Sequence, residues 1–336
     1  MGKFSENLRE LLSEGIDAQG LLTVFKKELA DHFSSYRFLI LFALIAMVSL
    51  ISAYMTGISL REELEGIAKP KFVFLMLFTS TGAWFSLAQF VAFFGPLIGL
   101  VLGFDSINRE KSTGTMSKLV SQPIFRDSII NGKFLAGVTT IAIMLVSIVL
   151  VISGLGLRVL GVVPGIEELW RIIIYLVISI VYVSFWLGIS MLFSIAFRSI
   201  ATSALASIAL WIFFSFFVSL GASAVASAFS PIPSSGAESE TIIRHARIME
   251  GVRLFSPMEL YSEATATVID PMRKTTKSLI LMGPMERLSS ARFQNPLPLS
   301  QSILVVWPYI VSLVALTLVC FGLSYGVFMR QEIRSA

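Results

Sequence analysis

The sequence predicts an all-α integral membrane protein with six transmembrane helices. Of its 336 residues, 55% are hydrophobic and only 14% are charged, whereas charged residues make up about 25% of an average soluble domain. A helix needs ~20 apolar residues to cross a hydrocarbon layer of ~30 Å. Six runs of suitable length and composition occur, at about Phe38–Tyr54, Phe72–Phe104, Phe134–Leu157, Trp170–Phe197, Ile200–Phe229 and Ile303–Met329.

The distribution of Lys and Arg predicts the orientation of these spans. The segments on the side of the two termini carry 13 such residues and the short segments on the opposite side carry 5, and positive charge is enriched in cytoplasmic loops. We therefore expect a multi-pass protein of the cytoplasmic membrane with both termini inside. Its parts are a cytoplasmic N-terminal segment (1–37), a six-span membrane domain (38–329) and a cytoplasmic tail (330–336). The membrane domain includes a cytoplasmic loop (104–133) and an extracytoplasmic loop (230–302).

Two segments outside the spans have helical patterns. Before the first span, Leu22, Phe25, Leu29 and Phe33 form one apolar stripe, and Lys26, Lys27, Glu28 and Asp31 are expected on the other face. This pattern is typical of an amphipathic helix in the membrane interface, or of a plain solvated helix. In loop 230–302, helical patterns over about 240–255, 257–270 and 273–288 predict a small helical cap outside the membrane.

The chain contains few groups that could perform chemistry. The only cysteine is Cys320, and the histidines, His32 and His245, lie in segments predicted on opposite sides of the membrane, which argues against a disulfide or a Cys/His metal cluster. His245 and Met249 are four residues apart and could face one Cu(I), but scattered methionines usually pack. We expect no metal, no bound cofactor, no nucleic-acid partner and no catalytic residue.

The spans carry small and polar residues with two possible meanings. Gly95, Gly99 and Gly103 share one helix face, which favours close helix packing over a specific dimer seam. Ser80, Gln89, Ser203 and Ser207 could line a translocation path, or could simply satisfy neighbouring helices. Pro96 and the 33-residue length of the second run predict a kink, or an outer part beyond the bilayer.

Loop 104–133 is the most distinctive feature of the chain. Met116, Leu119 and Val120 form an apolar edge, Pro123 interrupts the segment, and a second edge begins at Ile124. The charges Glu110 and Arg126 flank these edges. The pattern fits a short helix that docks into a groove on a cytoplasmic partner, and equally a helix that lies against lipid.

The run "REKSTGTMSKLVSQPIFRDSIINGKFLAG" resembles the cytoplasmic loop of type-2, exporter-like ABC transporter permeases. The family pattern of a Glu, a Ser/Thr-Gly-Thr, a Leu-rich helix, a Ser-x-Pro, an Arg and a Gly-Lys falls here on Glu110, Thr113-Gly114-Thr115, Leu119-Val120, Ser121-x-Pro123, Arg126 and Gly132-Lys133. Val120 stands where the family usually has Leu, and Phe125 where it usually has Ser. "FKKELADHFSSYRF" is similar to the family's amphipathic entry helix, and "SPMELYSEA" to an outer motif.

The resemblance implies a permease subunit that pairs with a second permease, identical or not, and with two ATP-binding subunits that hold ATP and Mg²⁺. Loop 104–133 would then be the coupling helix, with Glu110, Gly114, Thr115, Met116, Leu119, Val120, Pro123 and Arg126 as its coupling residues. The chain has no G-x-x-x-x-G-K-[ST] motif, so we expect no ATPase activity of its own. Export of a substrate is the leading interpretation. A mechanotransmitter that transports nothing and acts on an extracytoplasmic partner through 230–302 is the alternative.

Overall fold

A computed structural model describes residues 18–65, 71–79, 86–115, 124–231, 239–276 and 295–331, and within them it contains helices and no strand. Six stretches are long and apolar enough to cross a membrane: Tyr36–Glu63, Leu87–Ser112, Arg126–Leu160, Ile166–Ala196, Ile200–Phe229 and Leu299–Arg330. The predicted all-α fold with six spans is therefore confirmed, and the protein is a multi-pass membrane protein.

The helices are numbered in chain order. The first six are α1 (Ala18–Ser34), α2 (Tyr36–Glu63), α3 (Val73–Thr79), α4 (Leu87–Gly103), α5 (Asn108–Ser112) and α6 (Arg126–Leu160). They are followed by α7 (Ile166–Ala196), α8 (Ile200–Ile212), a π-helical turn (Phe213–Phe217), α9 (Val218–Phe229), α10 (Ser239–Arg253), α11 (Pro257–Ile269) and α12 (Leu299–Arg330).

Helix α7 lies at the centre of the bundle and packs against α4, α6, α8, α11 and α12. Gly95, Gly99 and Gly103 of α4 face it. A Cβ atom on Gly99 would lie 2.6 Å from the carbonyl oxygen of Val183, and one on Gly103 would lie 2.9 Å from that of Leu187. These glycines therefore let the backbones of α4 and α7 approach each other within this chain.

Pro96 lies inside α4, and α7 supplies the hydrogen bond that this proline cannot make. Proline has no N–H, so the carbonyl of Ala92, four residues earlier, loses its helical donor. The hydroxyl of the buried Tyr182 donates to that carbonyl at 2.7 Å. The predicted long second run is divided instead into α3 and α4, and the residues between them, 80–85, lie outside the described part.

We call the two ends of the bundle basal and distal. The basal end contains α1, α5 and Gln331, the last described residue. Gln331 lies beside α5, because Lys111 of α5 donates to the Gln331 side chain at 2.6 Å. The distal end holds the start of α7, with Glu167 and Arg171. The described loop residues 105–115, 124–125 and 197–199 are basal, which agrees with the predicted grouping of these segments on one side.

Helices α10 and α11 form an insertion at the distal end, and they confirm the first two of the three helical patterns predicted there. The third pattern, 273–288, lies outside the described residues from 277 onward. Helix α10 packs on α9, whereas α11 packs between α7 and α12. At the start of α11, Ser256 donates to the carbonyl of Phe214 at 3.0 Å, and the Tyr261 ring stacks on Tyr182 with 4.4 Å between centroids.

This packing places the start of α11 deeper than the sequence suggests. Phe214 and Tyr182 are each 16 residues from the basal Arg198. At 1.5 Å per residue, each lies about 24 Å along its helix from the basal end, which is less than the ~30 Å thickness of a hydrocarbon layer. The first turn of α11 is therefore packed among the spans, where Leu260, Tyr261, Ala264 and Val268 are all buried. The location of the whole cap outside the membrane stays a prediction.

Arg171 binds the C-terminal end of α11. Its guanidinium is fully buried and donates to the carbonyls of Thr267 and Val268 at 3.2 and 3.0 Å. It also donates to the Ser302 hydroxyl at 3.2 Å, to the Leu297 carbonyl and to Glu167 at 3.0 Å. One side chain thus caps α11 and holds the segment that leads into α12.

Candidate functional site at the base of the second and third spans

The candidate site is the basal loop between α4 and α6. The described chain runs through α5 to Thr115 and resumes at Ile124, so the predicted coupling residues Met116, Leu119, Val120 and Pro123 lie outside the described residues. The two stems that carry them are described. On the first, the backbone amides of Ile107 and Asn108 both donate to the Ser194 hydroxyl of α7, at 3.0 and 3.1 Å.

The Thr113-Gly114-Thr115 sequence forms the turn that ends α5. Gly114 has φ 68°, in the left-handed region that side chains other than glycine rarely adopt. The Thr113 hydroxyl donates to the Arg109 carbonyl at 2.8 Å, and the Thr113 and Thr115 hydroxyls are 2.9 Å apart. Each residue of this part of the motif therefore has a local structural role.

A buried ion cluster joins the two stems to α1. Lys133, near the start of α6, is 4% exposed. Its Nζ lies 2.7 Å from Oε1 of Glu28 on α1 and 2.9 Å from Oε1 of Glu110 on α5. The ammonium of Lys27 joins at the rim, 3.1 Å from Glu28 and 3.5 Å from Glu110. Residues that are distant in sequence thus meet at one point, and they connect α1, α5 and α6.

The charges of this cluster stabilise one another. Burial raises the pKa of the Glu28 carboxyl, but the ammonium groups of Lys133 and Lys27 together outweigh burial, and the pKa lies below its ordinary value of 4.5. Burial lowers the pKa of Lys27, but the carboxylates of Glu28, Glu110 and Asp31 together outweigh it, and the pKa lies above its ordinary value of 10.5. The contribution of Glu28 to stability is therefore complete at neutral pH and is lost as the pH falls through the lowered pKa.

Two flanking charges of the loop make contacts within this chain. The sequence pattern predicts Glu110 at the rim of a docking surface, but it is only 8% exposed and bonds to Lys133. Arg126 donates to the carbonyls of Phe328 and Gln331 at 3.1 and 2.6 Å, so it caps the C-terminus of α12. Their contacts hold the stems in place, and a direct contact with a partner stays a prediction.

Gly132 allows α1 to lie against α6. A Cβ atom there would be 2.9 Å from Cγ1 of Val24 and 3.2 Å from the Leu21 carbonyl oxygen. The Gly-Lys pair of the motif therefore has two roles in one contact: glycine permits the approach of α1, and lysine ion-pairs with it.

We predict that Gly132→Ala separates α1 from α6. The added methyl group overpacks the contact, which costs ~1–3 kcal/mol, although alanine alone would favour the helix by about 1 kcal/mol. The measurement is the rate at which trypsin cleaves after Lys26 and Lys27 in the purified protein, and we expect it to rise. Gly154→Ala in the same helix is the matched control, because nothing lies within 4 Å of its Cβ position. Equal cleavage of both variants would contradict the prediction.

The three described residues of the predicted translocation path, Gln89, Ser203 and Ser207, are not brought together. Gln89 lies at the distal start of α4, where its side chain accepts from the backbone of Ser86 at 3.1 Å in a capping box. Ser203 and Ser207 are buried near the basal start of α8, and the Ser207 hydroxyl donates to the Ser203 carbonyl. Ser80 lies outside the described residues. A path formed by these groups stays a prediction.

Helix α1 matches its predicted amphipathic character with one difference. Leu22 and Phe33 of the apolar stripe are exposed, at 47% and 38%, as expected for a helix that meets lipid. Glu28, however, lies on the buried face beside Val24. The sequence pattern places Glu28 on the polar face of α1, because its partner, Lys133, is distant in sequence. The structure shows that Glu28 is buried and pairs with Lys133.

Comparison with known proteins identifies the family. No curated protein matches the chain individually. A family profile described as "ABC-2 family transporter protein" matches residues 22–333, which includes most of α1, all six spans, the ion cluster and loop 104–133. The chain therefore belongs to the ABC-2 family of transporter proteins, whose members are membrane permeases that work with ATP-binding subunits and are not themselves the ATPase.

Proposed function

We propose that this protein is the membrane subunit of an ATP-driven exporter, in which loop 104–133 receives movement from an ATP-binding subunit. The complex contains two permease subunits and two ATP-binding subunits. ATP and Mg²⁺ bind to the partner, since the permease sequence lacks the glycine-rich phosphate-binding motif. The excess of Lys and Arg on the basal side supports a cytoplasmic location for that side.

The observation that carries this proposal is the rigid connection of the loop stems to the spans. Lys133 and Glu110 join the stems to α1, Ser194 holds the start of α5 on α7, and Arg126 holds the start of α6 on the end of α12. A displacement imposed on stems held in this way would be transmitted to the second, third, fourth and sixth spans as rigid-body movement.

The experiment that tests docking is co-purification of the ATP-binding subunit with permease variants. Leu119→Asp places a carboxylate on the predicted docking edge, where burying it unpaired costs several kcal/mol. We expect recovery of the ATP-binding subunit to fall at both low and high salt, while the amount of permease in the membrane stays constant because no span is changed. Ser235→Asp, in the predicted extracytoplasmic loop, adds the same charge and is expected to leave recovery unchanged.

Undiminished recovery with Leu119→Asp would remove the coupling role of the loop and favour a loop that lies on lipid. Reconstitution of the complex in liposomes separates the two interpretations of its output. ATP-dependent movement of a solute supports export. ATP hydrolysis that responds only to a protein added at the distal face supports the mechanotransmitter instead.

A further inference from the structure

The residue that follows the last span, Gln331, joins three parts of the basal end. Its side-chain oxygen accepts from the ammonium of Lys111 on α5 at 2.6 Å, and its side-chain amide donates to the carbonyl of Ile195, at the end of α7, at 2.8 Å. Its backbone carbonyl accepts from the guanidinium of Arg126, at the start of α6, at 2.6 Å. Gln331 therefore contacts both stems of loop 104–133 and the end of the fourth span.

A glutamine side chain matches these two side-chain contacts. The ammonium of Lys111 can only donate, so it needs the amide oxygen, whereas the carbonyl of Ile195 can only accept, so it needs the amide N–H. A carboxylate would satisfy Lys111 but would present an oxygen to the carbonyl. The amide of Gln331 thus links a cation on the loop stem to the backbone of α7.

The contact with Ile195 is the last in a regular series between α12 and α7. Three polar side chains of α12 donate to backbone carbonyls of α7: Thr317 to Val181 at 3.3 Å, Ser324 to Gly188 at 3.1 Å and Gln331 to Ile195 at 2.8 Å. Both the donors and the acceptors recur every seven residues, which is the repeat of two parallel helices packed as a left-handed pair. The two helices therefore keep one register from the middle of α7 to its basal end, where Gln331 makes the shortest of the three bonds.

The same two helices are joined at their distal ends. Arg171 of α7 donates to the Ser302 hydroxyl of α12 at 3.2 Å. With this bond at one end and the Gln331 bond at the other, sliding of α12 along α7 would break contacts over the length of the pair. The fourth and sixth spans are thus built to move together.

We propose that Gln331 is the positioning residue through which both stems of loop 104–133 move α7 and α12 as one unit. This inference rests on the proposed function, in which an ATP-binding subunit moves the loop. A displacement of α5 reaches Gln331 through Lys111, and a displacement of α6 reaches it through Arg126. Gln331 transfers both to the paired helices, which carry the movement to the distal end.

Hydrogen–deuterium exchange of the purified permease, measured by mass spectrometry, tests the link without a partner. Gln331→Met removes both side-chain contacts. We expect the amides of 105–115 to exchange about tenfold faster, because loss of a hydrogen bond to a charged donor shifts a local opening equilibrium by about that factor. Gln331→Glu keeps an acceptor for Lys111 and should exchange like the wild type. Gln301→Met makes the same change at an exposed position near the distal end of α12 and should have no effect.

The second measurement repeats the exchange on the complex with the ATP-binding subunit, with and without ATP and orthovanadate. In the wild type we expect nucleotide to change the exchange in the stems and also at the distal ends of α7 and α12. In Gln331→Met and Gln331→Glu, which both lack the donor to Ile195, the response of the stems should remain and the distal response should be lost. A merely structural defect would raise exchange in both nucleotide states and leave their difference unchanged.

Equal exchange of 105–115 in Gln331→Met and Gln301→Met would overturn the proposal, and so would a full distal response in Gln331→Met. A full distal response in Gln331→Glu would show that the bond to Lys111 is sufficient, and the role of the α7 contact would be wrong. If the stems of the wild-type complex do not respond to nucleotide, the proposed function is wrong and the transmission assigned to Gln331 fails with it. The exchange of the permease alone decides separately whether Gln331 holds α5.

Discussion

Lys133→Met is expected to disconnect the basal loop from α1 and to inactivate the transporter. The substitution keeps an unbranched side chain that is one heavy atom shorter, but it removes the ammonium between Glu28 and Glu110, which leaves two buried carboxylates close together. Removing one partner of a buried ion pair typically costs about 3–5 kcal/mol. The expected results are faster tryptic cleavage after Lys26 and Lys27, lower thermal stability in detergent, and loss of ATP-dependent activity in the reconstituted complex.

A neutral version of the same cluster separates charge from packing. In the triple variant Glu28→Gln, Glu110→Gln, Lys133→Met, no buried charge is left unpaired, and uncharged replacements of similar volume are often close to neutral in stability. We expect the triple variant to be more stable than Lys133→Met alone. If Lys133→Met is as stable and as active as the wild type, the ion cluster has no bracing role, and the rigid connection on which the proposed function depends is wrong.

The sequence predicts the spans well because crossing a membrane depends on local composition. A run of ~20 apolar residues has few other structures available in lipid, so all six spans can be located without knowledge of any contact. The second run is the exception. Phe72–Phe104 is apolar throughout, and its division into α3 and α4 depends on contacts such as the one from Glu168 of α7, which accepts from the Phe74 amide at 3.1 Å.

The roles of the charged residues are harder to predict because their partners are distant in sequence. Glu28 and Lys133 each look like surface charges on an amphipathic segment, and Arg171 looks like one more positive residue in a distal loop. Their burial depends on the packing of α1 on α6 and of α11 on α7. The loop motif does contain Glu110, Arg126 and Lys133, but a motif gives positions and not contacts. It therefore cannot distinguish residues that brace the stems from residues that meet a partner.

Arg171→Met is expected to destabilise the distal half of the bundle strongly. The buried guanidinium donates to three backbone carbonyls, those of Thr267, Val268 and Leu297, and it lies 5.5 Å from the centroid of the Phe72 ring. Methionine offers no donor, so these carbonyls and Glu167 would lose their partner in a region with little access to water. Each unsatisfied carbonyl costs about 1–3 kcal/mol, and we expect a total loss of roughly 4 kcal/mol or more.

The comparison of three variants by thermal unfolding in detergent tests this explanation. Arg171→Lys keeps the charge but replaces the planar fork with a single ammonium that cannot reach α11, Leu297 and Glu167 together, so its stability should fall between those of the wild type and Arg171→Met. Arg158→Met removes an exposed arginine from the same end of the bundle and should stay within about 0.5 kcal/mol of the wild type. If Arg171→Lys matches the wild type, charge alone is sufficient, and the multiple hydrogen bonds do not hold α11 in the bundle. If Arg171→Met also matches, α11 is held by its apolar contacts with α7 and α12, and the deep position of its first turn depends on Tyr261 and Ser256 instead.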